Sequence, residues 1–393
     1  MKTLHWSRAR TDRPERRKSV VFITSDYAPG TGGIASQTRL HALELLRNGW
    51  TVDVLTRRRS SDVARLETLD GVTVRRLGKS GFSRTGRARE IVAAWYLLVR
   101  QYRRVAVVQI VMDADYVVAP FFAGLGHRTC LMWAAEGDAE LKLNRLLGRI
   151  RRIMLRPCSQ VVLTAQMQRE LASVAHVESA PIIPVPVDTT YFTPANEELH
   201  NTRKRELGIS AEYVIVFTGH LIESKGVDKL LDAFSMMVQD GVDAHLLLVG
   251  GDYGRPDSLV DRLRSTTNER LLTGRVTFVG PVRDVRPYLQ AADTFCLPSL
   301  REGMSNSILE AMASGLPCVA PVSAAGLELL ADGAGIVPDS NSAEDLFAAL
   351  MTLARSEETR HALSNVALER ATSRHNVADI ILAYEAVWAA DHA

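Results

Sequence analysis

LPSLREGMSNSILEAMASGLP, residues 297–317, changes its periodicity halfway along. Its first residues end the apolar run DTFCLPS (293–299), short enough for a buried strand. Gly303 then marks a turn, and from Ser305 onward Leu309 and Met312 recur at helical spacing. A strand entering a helix through a glycine turn is the repeating piece of an α/β sheet. The same piece predicts chemistry. The N–H groups of Gly303, Met304, Ser305 and Asn306 fall at the helix N-terminus, where donors lacking an intrahelical acceptor and a partial positive charge suit a diphosphate. Glu302 at the strand end and Glu310 one to two turns into the helix address one ligand from two depths. Carboxylates only accept hydrogen bonds, so they pair with sugar or ribose hydroxyls. The plain alternative is that both acids merely cap and solvate the helix.

Upstream, FTGHLIESKGVDKLLDAF (217–234) repeats the pattern, with Gly219 at a strand end and Lys225-Gly226 at a helix start. A lysine placed there projects a compact charge toward a phosphate, or is simply a solvated surface lysine. Around these lie the runs YVIVFTG (213–219), AHLLLVGG (244–251), RVTFVG (275–280) and PCVAP (317–321), with helices predicted from Val227, near 257–270 and from Ser305. The first half alternates in the same way. SVVFIT (19–24) leads through a glycine-rich loop into GIASQTRLHALELLRNG, where Leu40, Leu43 and Leu46 recur at helical spacing and Gly49 ends the helix. TVDVLT, VTVRRL, VAVVQIV, TCLMWA and QVVLT supply further strands. Four prolines crowd PIIPVPVDTTYFTPAN (181–196), which reads as a linker. The expected architecture is two doubly wound domains facing across a ligand cleft. A basic leader covers 1–18, an N-terminal domain 19–190, a C-terminal domain 191–375, and a last helix 376–393 that packs back on the first domain.

With 393 residues, 46% hydrophobic and 23% charged, the chain has room for two cores and no disordered composition. No apolar run reaches a membrane-spanning length, and the basic leader lacks the apolar stretch of a secretory signal. Cys130, Cys158, Cys296 and Cys318 are far apart in apolar surroundings, as reduced core thiols are. A cytoplasmic protein is expected. The net charge of +2 conceals an asymmetry: residues 1–190 hold 30 Lys+Arg against 17 Asp+Glu, and the remainder 17 against 28. LKLNRLLGRIRRIMLR (141–156) interleaves leucine with arginine, either as a solvated basic helix face or as peripheral contact with the inner, anionic face of a membrane. Nucleic acid is not an expected partner.

The order GHLIESKG, LLLVGG, VTFVG, AADTFCLPSLREGMSNSILEAMASGLPCVA resembles the retaining glycosyltransferases of family four, of GT-B fold. The first half is similar more loosely, through YAPGTGGIASQTRLHALELLRNGWTVDVLT and IPVPVDTTYFTP. The resemblance implies transfer of a sugar from a nucleoside diphosphate sugar, a co-substrate rather than a cofactor, to a saccharide or lipid-linked acceptor in polysaccharide, glycolipid or glycoconjugate synthesis. It places Gly219, His220 and Lys225 at the donor diphosphate with the Gly303–Asn306 amides, Glu310 on the ribose and Glu302 beside the transferred sugar. Gly32 and Gly33 bring backbone close to the phosphate or acceptor. No metal is implied. Asp113-Ala114-Asp115 has metal-ligand spacing but lies outside any phosphate loop and reads as a helix cap.

Two departures stand out. Many relatives carry arginine where this chain has His220, whose reference pKa near 6.5 implies donor binding that weakens between about pH 6 and 8. Where relatives place a histidine near the transferring sugar, LMWAAEGDAEL (131–141) offers Glu136 and Asp138, which orient a hydroxyl or cap a helix. Two other readings remain: a non-catalytic sugar-nucleotide-binding subunit, and an NAD(P)-dependent oxidoreductase using Gly30-x-Gly32-x-x-Ala35. Against the latter, SDYAP separates the strand from its fingerprint.

Overall fold

The computed structural model describes residues 18–30, 32–58, 62–77, 105–111, 123, 127–133, 158–175, 177, 180–252, 254, 257–299, 304–320 and 323–390. The chain divides into two compact units. One gathers the residues up to Met132, Ile150–Gln160 and Val387–Ala393; the other gathers Trp133–Arg149 and Val161–Ala386.

The first sheet runs β3-β4-β2-β1-β5-β6-β7, from β1 (Ser19–Ile23), β2 (Thr51–Arg57), β3 (Leu66–Leu69), β4 (Val72–Leu77), β5 (Val107–Val111), β6 (Arg128–Trp133) and β7 (Ser159–Val162). β4, β2, β1, β5 and β6 pair in parallel, and β3 closes the edge antiparallel to β4. Val20, Val21, Phe22, Val107, Val108 and Ile110 are all buried, as the central strands of a parallel sheet covered on both faces must be. Helix α1 (Gly33–Arg47) forms where expected and Gly49, at φ 79°, ends it. Its buried face differs from the leucine spacing. Ala35, Gln37, Thr38, Ala42, Glu44 and Leu45 are buried, whereas Leu40, Leu43 and Leu46 keep part of their surface exposed. His41 is buried on the same helix, and burial pushes its pKa down to about 4, so it stays neutral. The closing residues join this unit: the Trp388 ring lies edge-on to Trp50 at 5.2 Å, and its Nε1 donates to Gln109 Oε1 at 3.1 Å.

The second unit opens with α2 (Ala165–Ala175) and then the proline-rich segment, whose Ile183 N–H donates to Val162 O at 2.9 Å. That segment is pinned to the junction of later helices, because Val187 N–H donates to His375 O and His375 Nδ1 donates to Val185 O, at 2.7 and 2.8 Å. α3 (Glu197–Glu206) starts at Asn196, whose side chain accepts from Leu199 N–H. A five-stranded parallel sheet follows in the order β10-β9-β8-β11-β12. Its strands are β8 (Tyr213–Thr218), β9 (Ala244–Val249), β10 (Val276–Gly280), β11 (Thr294–Cys296) and β12 (Cys318–Val319). The helices between them are α4 (Val227–Gln239), α5 (Val260–Glu269), α6 (Arg286–Gln290) and α7 (Asn306–Ala313). α8 (Ala324–Leu329), α9 (Ala343–Arg355), α10 (Glu357–Arg374) and α11 (Val377–Ala390) complete the chain. α5 begins three residues after the expected 257, since Ser258 bridges to Ile222 before the helix can start. The sheet order reverses direction between β8 and β11. In such a sheet ligands bind outside the carboxyl ends of the strands at that switch.

All four cysteines are buried thiols, and burial pushes those of Cys296 and Cys318 well up. No helix among the described residues is long and apolar enough to cross a membrane, and no group of three or more His, Cys, Asp or Glu is arranged to hold a metal there. The basic stretch 141–156, the pair Asp113/Asp115 and the acids Glu136 and Asp138 lie outside the described residues.

Candidate functional site at the β8/β11 switch

Adjacent strands β8 and β11 deliver the loops that follow them to the same edge of the second sheet. The β8 loop starts at Gly219, whose N–H donates to Val249 O at 3.0 Å, and continues through His220 to a 3-10 turn at Glu223–Lys225. Gly226 then adopts φ 64°, in the left-handed region where a Cβ costs energy, and opens α4. A Cβ on Gly226 would lie 2.2 Å from Pro298 O, so the turn carrying Lys225 rests directly on the β11 loop. Buried Ser299 ties the two together, its Oγ donating to Ser224 O at 3.2 Å, while Asn341 Nδ2 donates to Ser299 O at 3.2 Å. The β8 loop also meets the β9 loop: a Cβ on Gly250, at φ 131°, would stand 1.9 Å from Gly219 O, and Leu221 N–H donates to Gly251 O at 3.0 Å. Asp252 fixes the next turn by accepting from Ser258 Oγ and Gly254 N–H, bonds that hold its pKa below the usual carboxylate value.

Lys225 and the β11 segment predicted from sequence are thus brought together. Glu302 and Gly303 lie outside the described residues. Met304 and Ser305 are buried, and Ser305 is the residue before α7. The helix therefore starts slightly later than the glycine suggested. The N–H groups with no acceptor inside the helix belong to Asn306, Ser307 and Ile308, the first intrahelical bond running from Leu309 N–H to Ser305 O at 3.3 Å. Ser305 does not cap this turn with its side chain; its Oγ pairs instead with Ser307 Oγ at 3.1 Å. Ile308, Leu309, Ala311, Met312 and Ala313 are buried, which leaves Asn306, Ser307 and Glu310 on the open face, with Glu310 four residues after the first and three after the second.

Glu310 is the most perturbed acid of this edge. Part of its surface is accessible, yet the atoms packed round its carboxyl push its pKa up to about 7 by desolvation. No described group hydrogen-bonds that carboxyl, so nothing offsets the desolvation. A second isolated polar group lies at the end of β8: the buried Thr218 hydroxyl, one residue before Gly219, has no partner among the described residues. Sequence reading did not single out Thr218, Gly250, Ser299 or Asn341. Of these, only Gly250 carried a signal, as half of a Gly-Gly pair after a strand.

The glycine-rich loop of the first unit follows β1, where that sheet also reverses order. Gly32 precedes α1 at φ −72°, an ordinary value for any residue, and a Cβ there would meet Asp26 Oδ2 at 3.4 Å, normal contact. Gly30 is the crowded position, its Cβ site 2.3 Å from Asp26 Oδ1. Close approach in this loop is thus made by a buried carboxylate. A negative group under Gly30 works against a dinucleotide pyrophosphate at the formal Gly30-x-Gly32-x-x-Ala35 fingerprint.

Residues 212–356, which contain every described part of the β8/β11 edge, match the family model of the glycosyl transferases group 1. Over that segment the chain is similar to the glycosyl transferases group 1. Among curated proteins, this chain is 31% identical over 223 residues to the D-inositol 3-phosphate glycosyltransferase of Corynebacterium aurimucosum, covering 54% of this chain and 52% of that one. It thus spans about half the length of that relative. To the enzyme of the same name in Jonesia denitrificans it is 28% identical over 346 residues, covering 78% and 80%. Among solved structures, Anabaena Alr3699/HepE in complex with UDP-glucose superposes with a TM-score of 0.72 at 16% identity, covering 94% of this chain and 99% of that one. The chain has the GT-B fold.

Proposed function

We propose that the chain is a retaining, metal-independent glycosyltransferase that takes a sugar from a nucleoside diphosphate sugar and passes it to a hydroxyl of a saccharide or lipid-linked acceptor. The observation that carries the proposal is the Glu310 carboxyl, enclosed, unpartnered among the described residues, and one turn inside a helix that opens at the sheet switch beside Lys225. An enclosed acceptor without a donor is costly until a ligand hydroxyl fills it. The ribose of the donor is suited to that place, while its diphosphate lies against the α7 N-terminus, Lys225 and His220. As the glycosidic bond breaks, negative charge builds on the leaving diphosphate. Groups already aimed there stabilise it without reorganising, which is the principal lever available to this reaction. Glu302 is assigned to the transferred sugar and Glu136 or Asp138 to the acceptor side. The relatives that act on an inositol phosphate, and the UDP-glucose complex of Anabaena Alr3699/HepE, support the donor class and a polar acceptor. We place the reaction in the cytoplasm, with the basic first half turned toward anionic lipid or acceptor.

The test is a panel of UDP-, GDP- and ADP-sugars scored by thermal shift, followed by product analysis. A donor at a hundred times its Kd should raise stability by about 2.7 kcal/mol. Transfer should then yield a product whose anomeric configuration matches the donor's. Binding with no turnover would favour a sugar-nucleotide-binding subunit instead, and an inverted product would remove the retaining assignment.

A further inference from the structure

Arg76 occupies a place where arginine is seldom found. In β4 the residues alternate between the two faces of the sheet, and Val72, Val74 and Arg76 share the buried one. The arginine side chain is 3% exposed. A guanidinium so enclosed is stable only when its donors are satisfied. Three groups satisfy it. Nη1 donates to the Glu67 carboxylate on β3 and to Ala64 O at 3.0 Å, and Nη2 donates to Ala28 O. Glu67 and Ala64 belong to the strand and approach of the edge hairpin. Ala28 belongs to the loop after β1, 48 residues earlier in the chain, so the guanidinium fork joins the hairpin to the loop.

The loop around Ala28 is short and tightly turned. Tyr27 is buried, and its hydroxyl pKa is pushed up to about 12 by burial, with Arg39, Asp70 and Arg76 as its charged neighbours. Gly30 N–H closes a turn onto Tyr27 O at 3.0 Å, and the chain then enters α1 at Gly32. Among the contacts described, the Arg76 bond to Ala28 O is the one that ties this segment to the β3–β4 hairpin.

We propose that Arg76 is a positioning residue: through Ala28 it clamps the Tyr27–Gly30 loop, and so the Gly32–Gly33 start of α1, in the geometry used for sugar transfer. The consequence for turnover rests on the proposed function, since that reading brings Gly32 and Gly33 to the phosphate or acceptor. A planar fork with fixed donor directions does this in a way a lysine cannot reproduce. Displacement of a reacting group by about 1 Å costs on the order of 100-fold in rate.

The experiment compares Arg76→Lys, Arg76→Met and Glu67→Gln with the parent chain, and uses Asp70→Asn, which breaks the exposed Arg39–Asp70 pair, as control. Two quantities are read: kcat per donor-binding site, and hydrogen exchange at the Gly30 amide. Arg76→Met and Arg76→Lys should exchange at Gly30 about tenfold or more faster, and should lose about ten- to hundredfold in kcat with donor KM changed less than about threefold. Glu67→Gln keeps the arginine in place and should show the same signs at about threefold, which secures the test if an Arg76 variant fails to fold. Gly30 exchange within twofold of the parent in the folded variants overturns the clamp. Faster exchange with kcat per site unchanged overturns its role in positioning. A parent chain that transfers no sugar sinks the proposed function instead, and the exchange arm still decides the clamp.

Discussion

The loop after β8 and the loop after β1 occupy the same topological position, each at the carboxyl end of a strand where its sheet reverses order, but different chemistry holds them. The β8 loop is gripped by backbone. Gly226 rests on Pro298 O, Gly250 rests on Gly219 O, and both glycines have positive φ. The β1 loop is gripped by side chains, with Asp26 under Gly30 and Arg76 on Ala28 O. A backbone grip demands glycine and tolerates no other residue there. A side-chain grip can be rebuilt from other residue types, so it leaves no fixed motif. The family match covers residues 212–356 and omits the first loop, in keeping with that difference.

Swapping a methyl group into each loop is the strongest way to break the comparison. Gly250→Ala should destabilise the protein by about 3–5 kcal/mol, since it combines a backbone clash with a strained φ. Gly32→Ala, at φ −72° and with normal contact to Asp26, should cost less than about 1 kcal/mol. Urea midpoints with unchanged m-values would measure both. Equal losses would erase the distinction.

Donor affinity gives the next effect. Glu310→Ala removes one charge-assisted bond, worth about 1.5–3 kcal/mol, or roughly ten- to 150-fold in Kd. The pH dependence sharpens this further. The folded protein holds the Glu310 proton up to about pH 7, whereas an unfolded glutamate releases it near 4.5. Between those values the folded state binds more protons, so this group's contribution to stability is present below about pH 4.5 and is lost as pH rises through about 7. In Glu310→Gln that loss should vanish, and unliganded stability should fall less between pH 5 and pH 8 than in the parent. Binding of a ribose to the carboxylate has the opposite sign: affinity should rise as pH approaches 7 and level off above it. Glu310→Gln should remove that acid arm, and a profile identical to the parent's would contradict the assignment. The smallest effect is expected for Asp70→Asn, a largely exposed pair worth at most about 1 kcal/mol by thermal unfolding.

Much of the β8/β11 edge was legible in the residues. Strand-glycine-helix spacing located Gly219, Lys225, Met304, Ser305, Asn306 and Glu310 on elements that the fold brings to one edge, because short apolar runs and positive-φ glycines act locally. The start of α7 was misjudged by about one residue, since Ser305 could serve either as cap or as first helical residue. The leucine spacing located α1 but did not mark its buried face, which is made of Ala35, Thr38, His41, Ala42 and Leu45 instead. Arg76 was the hardest to see. Its burial follows from the alternation of VTVRRL once the strand is known, but its partner Ala28 is set by tertiary packing alone.

The most direct measurement is calorimetric binding of UDP, GDP and ADP to the parent chain and to Glu310→Ala at pH 8, where the carboxyl is ionised. The account predicts that at least one nucleoside diphosphate binds the parent, and that its Kd weakens at least tenfold in Glu310→Ala while the variant keeps its fold. A Kd unchanged by the substitution, or no binding of any of the three to the parent, would contradict the assignment of the β8/β11 edge as the donor site.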